Sequence, residues 1–251
     1  MKRLHWNLIL FGAVALTLVA GGCARDRDET ATTTPGTADQ PQDEMAMVRV
    51  VNAAPDAKAL DVFADDQPIF TGVDYKSVTP YKEMQDERFT FRVRTAGQTT
   101  GEPLAENSEG LSGGEHYTFV AIPEEQQGQV TLLALSDKLE PSEEGKAKVR
   151  VVNASPDAGE VNVHVQGRDE ALFSGVNFQS ETFFTEVDPS NVSLEIRQEG
   201  KKNPLLTLED VNFEAGKLYT FVVAGSGKQV EAIRIEDDAS ARATAGRGTN
   251  R

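Results

Sequence analysis

The side chains able to do chemistry are few once the first twenty-two residues are set aside: His116, His164, the lone cysteine Cys23 and a surplus of carboxylates. A histidine moves protons at neutral pH or ligates zinc, but only when partner side chains converge on it. His116 and His164 stand in strand-like stretches of different halves of the chain, and neither has a counterpart in the other half. The spacing supplies no further histidine or cysteine, and no H-E-x-x-H, C-x-x-C or phosphate loop occurs. The doublets Glu124-Glu125, Glu143-Glu144 and Asp237-Asp238 suggest paired acids. Glycoside hydrolysis, however, needs carboxyls converging at about 5 to 9 Å, and adjacent residues on a strand face opposite ways. The doublets therefore read as charged turns. No catalytic residue, cofactor or resident metal is assigned, and the chain reads as a non-enzyme.

A second oxygen-rich set is Asn52 and Asp56, recurring as Asn153 and Asp157. Each lies in a block, Val48-Arg49-Val50-Val51-Asn52-Ala53-Ala54-Pro55-Asp56-Ala57 and the matching stretch Val149 to Ala158, with nine identities in ten at an offset of 101. Two readings apply. Pro55 and Pro156 fix their own φ and turn Ala54 and Ser155 away from helix, while Asn and Asp bond nearby backbone, so the block ends a strand in a turn. Alternatively Asn52, Asp56, Asn153 and Asp157, with Asp61 or Glu160, gather oxygens around calcium, which takes six to eight of them. The D-x-[DN]-x-[DN]-G loop is absent, and the turn accounts for every residue of the block.

The elements that carry these residues are strands. Phe89, Phe91 and Val93 alternate with Arg88, Arg92 and Arg94; Val161, Val163 and Val165 with Asn162 and His164; Val192, Leu194 and Ile196 with Ser193 and Glu195. Period two marks a half-buried strand, and on it His164 faces outward. Phe70-Thr71-Gly72-Val73 returns as Phe173-Ser174-Gly175-Val176, and Tyr117-Thr118-Phe119-Val120 as Tyr219-Thr220-Phe221-Val222, at offsets of 103 and 102. The drift of one or two residues means one topology with altered loops. The predicted fold is all-β, two tandem immunoglobulin-like antiparallel β-sandwich domains of seven or eight strands, over 47–136 and 148–238, joined by a linker at 137–147.

The N-terminus supplies an address. Lys2 and Arg3 precede an apolar run from Leu8 to Ala20; its thirteen residues make about 20 Å of helix against the roughly 30 Å of a bilayer core. This is the layout of a signal peptide over 1–22. Residues 23–46 are Asp, Glu, Thr, Pro, Gln and Gly with little to bury, a disordered acidic tether of roughly 25 Å mean reach. Residues 239–251 form a disordered tail. With a net charge of −15, phosphate-contact binding of nucleic acid is disfavoured.

Two resemblances extend this reading. Val19-Ala20-Gly21-Gly22-Cys23 resembles the lipobox of bacterial lipoproteins, with Ala20 where that pattern prefers Leu. It implies cleavage before Cys23 and lipid attachment there, hence a membrane partner through that lipid; Ala24 after it implies outer-membrane sorting in a Gram-negative source. The repeated Val-Arg-Val-Val-Asn-Ala-Ser-Pro-Asp-Ala block, with Phe-Ser-Gly-Val and Leu-Tyr-Thr-Phe-Val-Val, resembles the bacterial family of domain of unknown function 4397, across about 180 residues. It implies exported or lipid-anchored tandem sandwiches and supplies no activity. Copy one departs from the pattern at 65–68 and 99–114. The expectation is a lipid-anchored cell-envelope protein acting as a non-catalytic binding, adhesion or envelope-structural module toward a protein or polysaccharide partner. The alternatives are an envelope polysaccharide hydrolase and a calcium-dependent ligand-binding protein.

Overall fold

The computed structural model describes residues 45–124, 128–226 and 229–238; the expected signal peptide, Cys23, almost all of the tether and the tail lie outside them. The first copy runs through β1 (Ala46–Asn52), β2 (Leu60–Ala64), β3 (Gln67–Val73), β4 (Lys82–Met84), β5 (Arg88–Thr95), β6 (Ala105–Gly110), β7 (His116–Pro123) and β8 (Val130–Ser136). The second runs through β9 (Ala147–Asn153), β10 (Val161–Val165), β11 (Ala171–Val176), β12 (Ser180–Glu181), β13 (Thr185–Val187), β14 (Ser190–Gln198), β15 (Pro204–Phe213), β16 (Lys217–Ser226) and β17 (Gln229–Asp238). One 3-10 turn at Pro156–Ala158 is the helical element among the described residues.

Each copy is a two-sheet sandwich. In the first, β4-β1-β7-β8 faces β3-β2-β5-β6; in the second, β12-β9-β16-β17, with β13 also on β9, faces β11-β10-β14-β15. The ladders are antiparallel except β1 with β7 and β9 with β16, which run parallel. The chain leaves β1, builds the opposite sheet and returns as β7, so no hairpin imposes an antiparallel partner. The first strand thereby lies inside its sheet, whereas in the seven-strand immunoglobulin order it lies at an edge.

The alternating apolar residues fill the two cores. Val48, Val50, Phe91, Val93 and Phe119 are buried in one, Val149, Val151, Leu194, Ile196 and Phe221 in the other. Phe91 and Phe119 meet with ring centroids 4.2 Å apart, and Phe213 stands edge-on to Tyr219 at 5.2 Å. Burying each such side chain contributes about 1.5 to 3 kcal/mol, which lets each sandwich form without disulfides. The repeated glycine of the Phe-Thr/Ser-Gly-Val motif has a physical reason: Gly72 and Gly175 sit at φ 65° and 70° beside irregularities in the β2–β3 and β10–β11 ladders, a backbone that side chains resist. Their amides donate to Asp61 and Asn162 at 2.8 Å.

The two sandwiches share a third core within one compact unit. It is built from equivalent residues of both copies: Val51 and Val152, Ala53 and Ala154, Val120 and Val222, Leu135 and Ile235. Such paired equivalents describe an interface with approximate twofold character, in which the same patch of each copy meets the other.

Candidate functional site

The repeated motifs bond one another. Asn52 donates its amide to the Val73 carbonyl at 3.0 Å and accepts the Ala54 N–H at 3.0 Å; Asn153 donates to the carbonyls of Val176 and Gly159 and accepts the Ser155 N–H. Both asparagines are fully buried, so each spends its carboxamide on closing the turn after its strand and fastening it to the glycine motif. Asp56 and Asp157 are exposed beyond them. Among the described residues, no group of three or more His, Cys, Asp or Glu is arranged to hold a metal.

The arginine of the same block is buried as well. Arg49 donates Nε to Thr118 at 2.7 Å and both terminal nitrogens to Asp237 at 2.7 Å each, with the Tyr81 ring 4.4 Å from its guanidinium carbon. Arg150 mirrors it: Nε to Thr220 at 2.9 Å, a terminal nitrogen to Asp137, another to Glu181 at 3.1 Å, and the Phe184 ring at 4.6 Å. Each arginine thus reaches the aspartate at the end of the other copy, Arg49 to Asp237 and Arg150 to Asp137. Asp137 is the hub. Its side chain has no exposed surface, and it also accepts from Tyr81 at 2.8 Å and from Thr118. Burial, then the negative charge of Asp137, holds the Tyr81 phenol well above the ordinary tyrosine range, against the opposing pull of Arg49. Desolvation is the largest influence on Arg49 and opposes its charge, but the bond to Asp237 together with the charges of Tyr81, Asp137 and Asp237 holds the guanidinium above its ordinary range.

Two sequence expectations change here. The Asp237-Asp238 doublet lies within β17, where alternation sends Asp237 to Arg49 and Asp238 outward to Lys217 at 2.6 Å. His164 occupies an outward position of its strand, opposite Glu195, yet it is buried and its Nδ1 lacks a partner. It stands where copy one has Phe63, which is buried too, so this outward position is covered in both sandwiches. His116 is buried in β7, edge-on to Tyr81 with centroids 5.0 Å apart.

A surface feature stands out between β12 and β13. Thr182 is pinned to β9, its N–H donating to the Val151 carbonyl at 2.9 Å and its Oγ1 accepting the Val151 N–H at 3.0 Å, and Phe184 turns inward under Arg150. Alternation throws the residue between them outward, leaving Phe183 94% exposed. Copy one repeats the arrangement with Thr79 on Val50 and Tyr81 under Arg49, but its outward residue is Pro80. The fold therefore needs no aromatic ring at this position.

Phe183 lines two clefts. One, of about 280 Å³, is lined by Ser136, Lys138, Glu140, Lys148 and Glu181, with Arg150 at its floor. The other, of about 400 Å³, runs along Leu172 to Val176 and shares Glu181, Thr182 and Phe183. Burial raises the Glu181 carboxyl above its usual range, Arg150 opposing and Asp137 adding to the rise. An exposed ring that lines both pockets, with polar groups of both kinds around it, can hold a ligand that has an apolar face and hydrogen-bonding edges. Sequence reasoning passed over Phe183; the signal was the substitution of Phe for Pro at matched positions of otherwise parallel Thr-x-aromatic triplets.

The model of the family described as Domain of unknown function (DUF4397) matches residues 46–164 and 162–247. No curated protein matches the chain. Among solved structures, the C-terminal domain of AlgF from P. aeruginosa is 24% identical and covers 38% of this chain and 100% of its own, at a TM-score of 0.32. A candidate cell adhesion protein from Bacteroides uniformis ATCC 8492 is 12% identical, covering 78% and 99%, at 0.26. A streptococcal virulence factor described by its alpha-glucan binding is 11% identical, covering 74% and 95%, at 0.23.

Proposed function

We propose that this chain, which belongs to the DUF4397 family, is a non-catalytic binding module held at a bacterial cell envelope, with the Phe183 face as its contact surface. Lipid on Cys23 fastens it to a membrane, the outer one in a Gram-negative cell, and the segment 23–46 spaces the sandwiches 47–136 and 148–238 from that surface. The observation that carries the reading is Phe183, a fully presented ring whose place in the other copy is taken by proline. Exposed aromatics of this kind anchor interfaces when they meet a partner.

A hydrolase would need two carboxyls within reach of one substrate. Glu181 and Glu140 both line one cleft, while Asp137, which shares Arg150 with Glu181, is sealed from solvent and cannot touch a substrate. What supports binding over turnover is the exposed Phe183 ring.

The test is retention of the protein on isolated cell envelopes in a Cys23→Ala background, where lipid no longer contributes. Phe183→Ala should lower retention roughly tenfold or more, the effect of truncating an aromatic anchor; equal retention of both proteins would refute the assigned surface. Labelled palmitate should enter the wild-type chain and not Cys23→Ala.

A further inference from the structure

We propose that the ligand of the Phe183 clefts is an uncharged polysaccharide, lying on the ring with sugar units in both clefts. The inference rests on the binding reading above and adds the class of ligand.

Three observations favour it. First, the ring is not at the bottom of an apolar pocket. Exposed, it belongs with Glu181 and Thr182 to the lining common to two clefts, so a ligand that uses both must be extended and can lay an apolar face on the ring. A pyranose offers such a face in its axial C–H groups, and a linear chain of them is long enough to occupy both clefts. Second, the walls supply donors and acceptors together. Ser136, Thr182 and Lys138 can donate, while Glu140 and Glu181 accept. Hydroxyl groups, each both donor and acceptor, match a mixed lining better than a carboxylate or an ammonium would, and an apolar peptide side chain would leave those groups unmatched. Third, the charges cancel. The three cations Lys138, Lys148 and Arg150 are matched by the three carboxylates Glu140, Glu181 and Asp137. With no net local charge to attract an ion, and −15 on the whole chain, polyanionic glycans are repelled rather than gathered.

The ring's orientation is built into the strand. Its neighbours are fixed to β9 and to Arg150, so the site is held before a ligand arrives and little ordering cost accompanies binding.

Binding of the full chain in detergent micelles to dextran, to a soluble β-glucan and, as a polyanion, to alginate can be followed by affinity electrophoresis. An uncharged glycan should retard the wild type, Phe183→Trp should match or exceed it, and Phe183→Ala and Phe183→Pro should weaken binding roughly tenfold or more. Preference for alginate overturns the assignment of an uncharged ligand. So does failure to bind either uncharged glycan while envelope retention still depends on Phe183, which leaves the binding surface standing with a protein as its partner. Loss of dependence on Phe183 in both assays removes surface and ligand together.

Discussion

Arg49 and Asp237 lie 188 positions apart and meet in a two-pronged pair, both N–O distances 2.7 Å. The arginine belongs to the first strand of one sandwich and the aspartate to the last strand of the other. Arg150 and Asp137 make the reciprocal connection. Each is nearly sealed from water, so the pairs hold the sandwiches in one register: a displaced interface would leave four charges desolvated without partners.

Removing one partner should therefore be severe. Asp237→Ala is expected to cost about 3 to 5 kcal/mol, because buried Arg49 keeps as counter-charge only Asp137, 3.7 Å away and shared with Arg150, and to lower Tm by about 10 °C for a protein of this size. The double replacement Arg49→Met, Asp237→Leu should recover much of the loss, since two apolar side chains leave no buried charge behind. Denaturant melts of the three proteins measure the difference, and a double variant as weak as the single would show that packing, not charge, sets the cost.

Much of this was legible in the chain and its central feature was not. Period-two alternation placed Phe91, Val93, Val163 and Ile196 on buried faces, where they are. By the same rule Arg49 and Arg150, between valines, belong on the outward face, and so they do; what covers that face is the other copy. Alternation reports which side a residue takes within its own sheet, not what later packs against that side. The clue lay in the repeat, which preserves Arg49 and Arg150, Thr118 and Thr220, Asp137 and Asp237 at nearly one offset. Phe183 was hidden for the opposite reason: it is where the copies differ.

The asparagines should separate cleanly from the acids of the same motif. Asn153→Ala strands the carbonyls of Val176 and Gly159 and the Ser155 N–H, at about 1 to 3 kcal/mol for each buried group left unpaired. Asp56→Ala, at an exposed position, should stay within about 0.5 kcal/mol of wild type. Millimolar calcium should leave Tm unchanged, because the Asn52 and Asn153 oxygens are occupied by the backbone. A rise that a chelator reverses would return the motif to calcium binding.

Tyr81 gives the protein an alkaline weakness. Its folded-state phenol is raised, first by burial and then by Asp137, above the value of about 10 that it has when unfolded. A raised group stabilises fully below its unfolded pKa and loses that contribution as pH climbs toward the folded one. Stability should thus decline above about pH 10, and Tyr81→Phe should flatten the decline while costing stability at neutral pH through the lost bond to Asp137. Parallel slopes for the two proteins would contradict the assignment.

At the acid end the pair Lys76–Glu231, 2.6 Å across the interface, acts with the opposite sign. The Lys76 bond holds the Glu231 carboxyl below its usual range, so its contribution is present above its unfolded pKa and fades as pH falls through the folded one. The pair is about half exposed, and Glu231→Gln should cost no more than about 1 kcal/mol at pH 7 and progressively less below pH 4.

The decisive separation of fold from function is Phe183→Pro, which copies the residue of the other sandwich. The preceding threonine is tied to its strand in the same way at both positions, and proline already follows it in copy one. The backbone should accept the change, with stability equal to wild type or up to about 1 kcal/mol higher, because proline restricts the unfolded chain. Thermal melts check this directly. If Tm holds while envelope retention falls, the ring serves a partner; if Tm collapses, Phe183 supports its own sandwich despite its exposure, and the reading of this face as a contact surface fails.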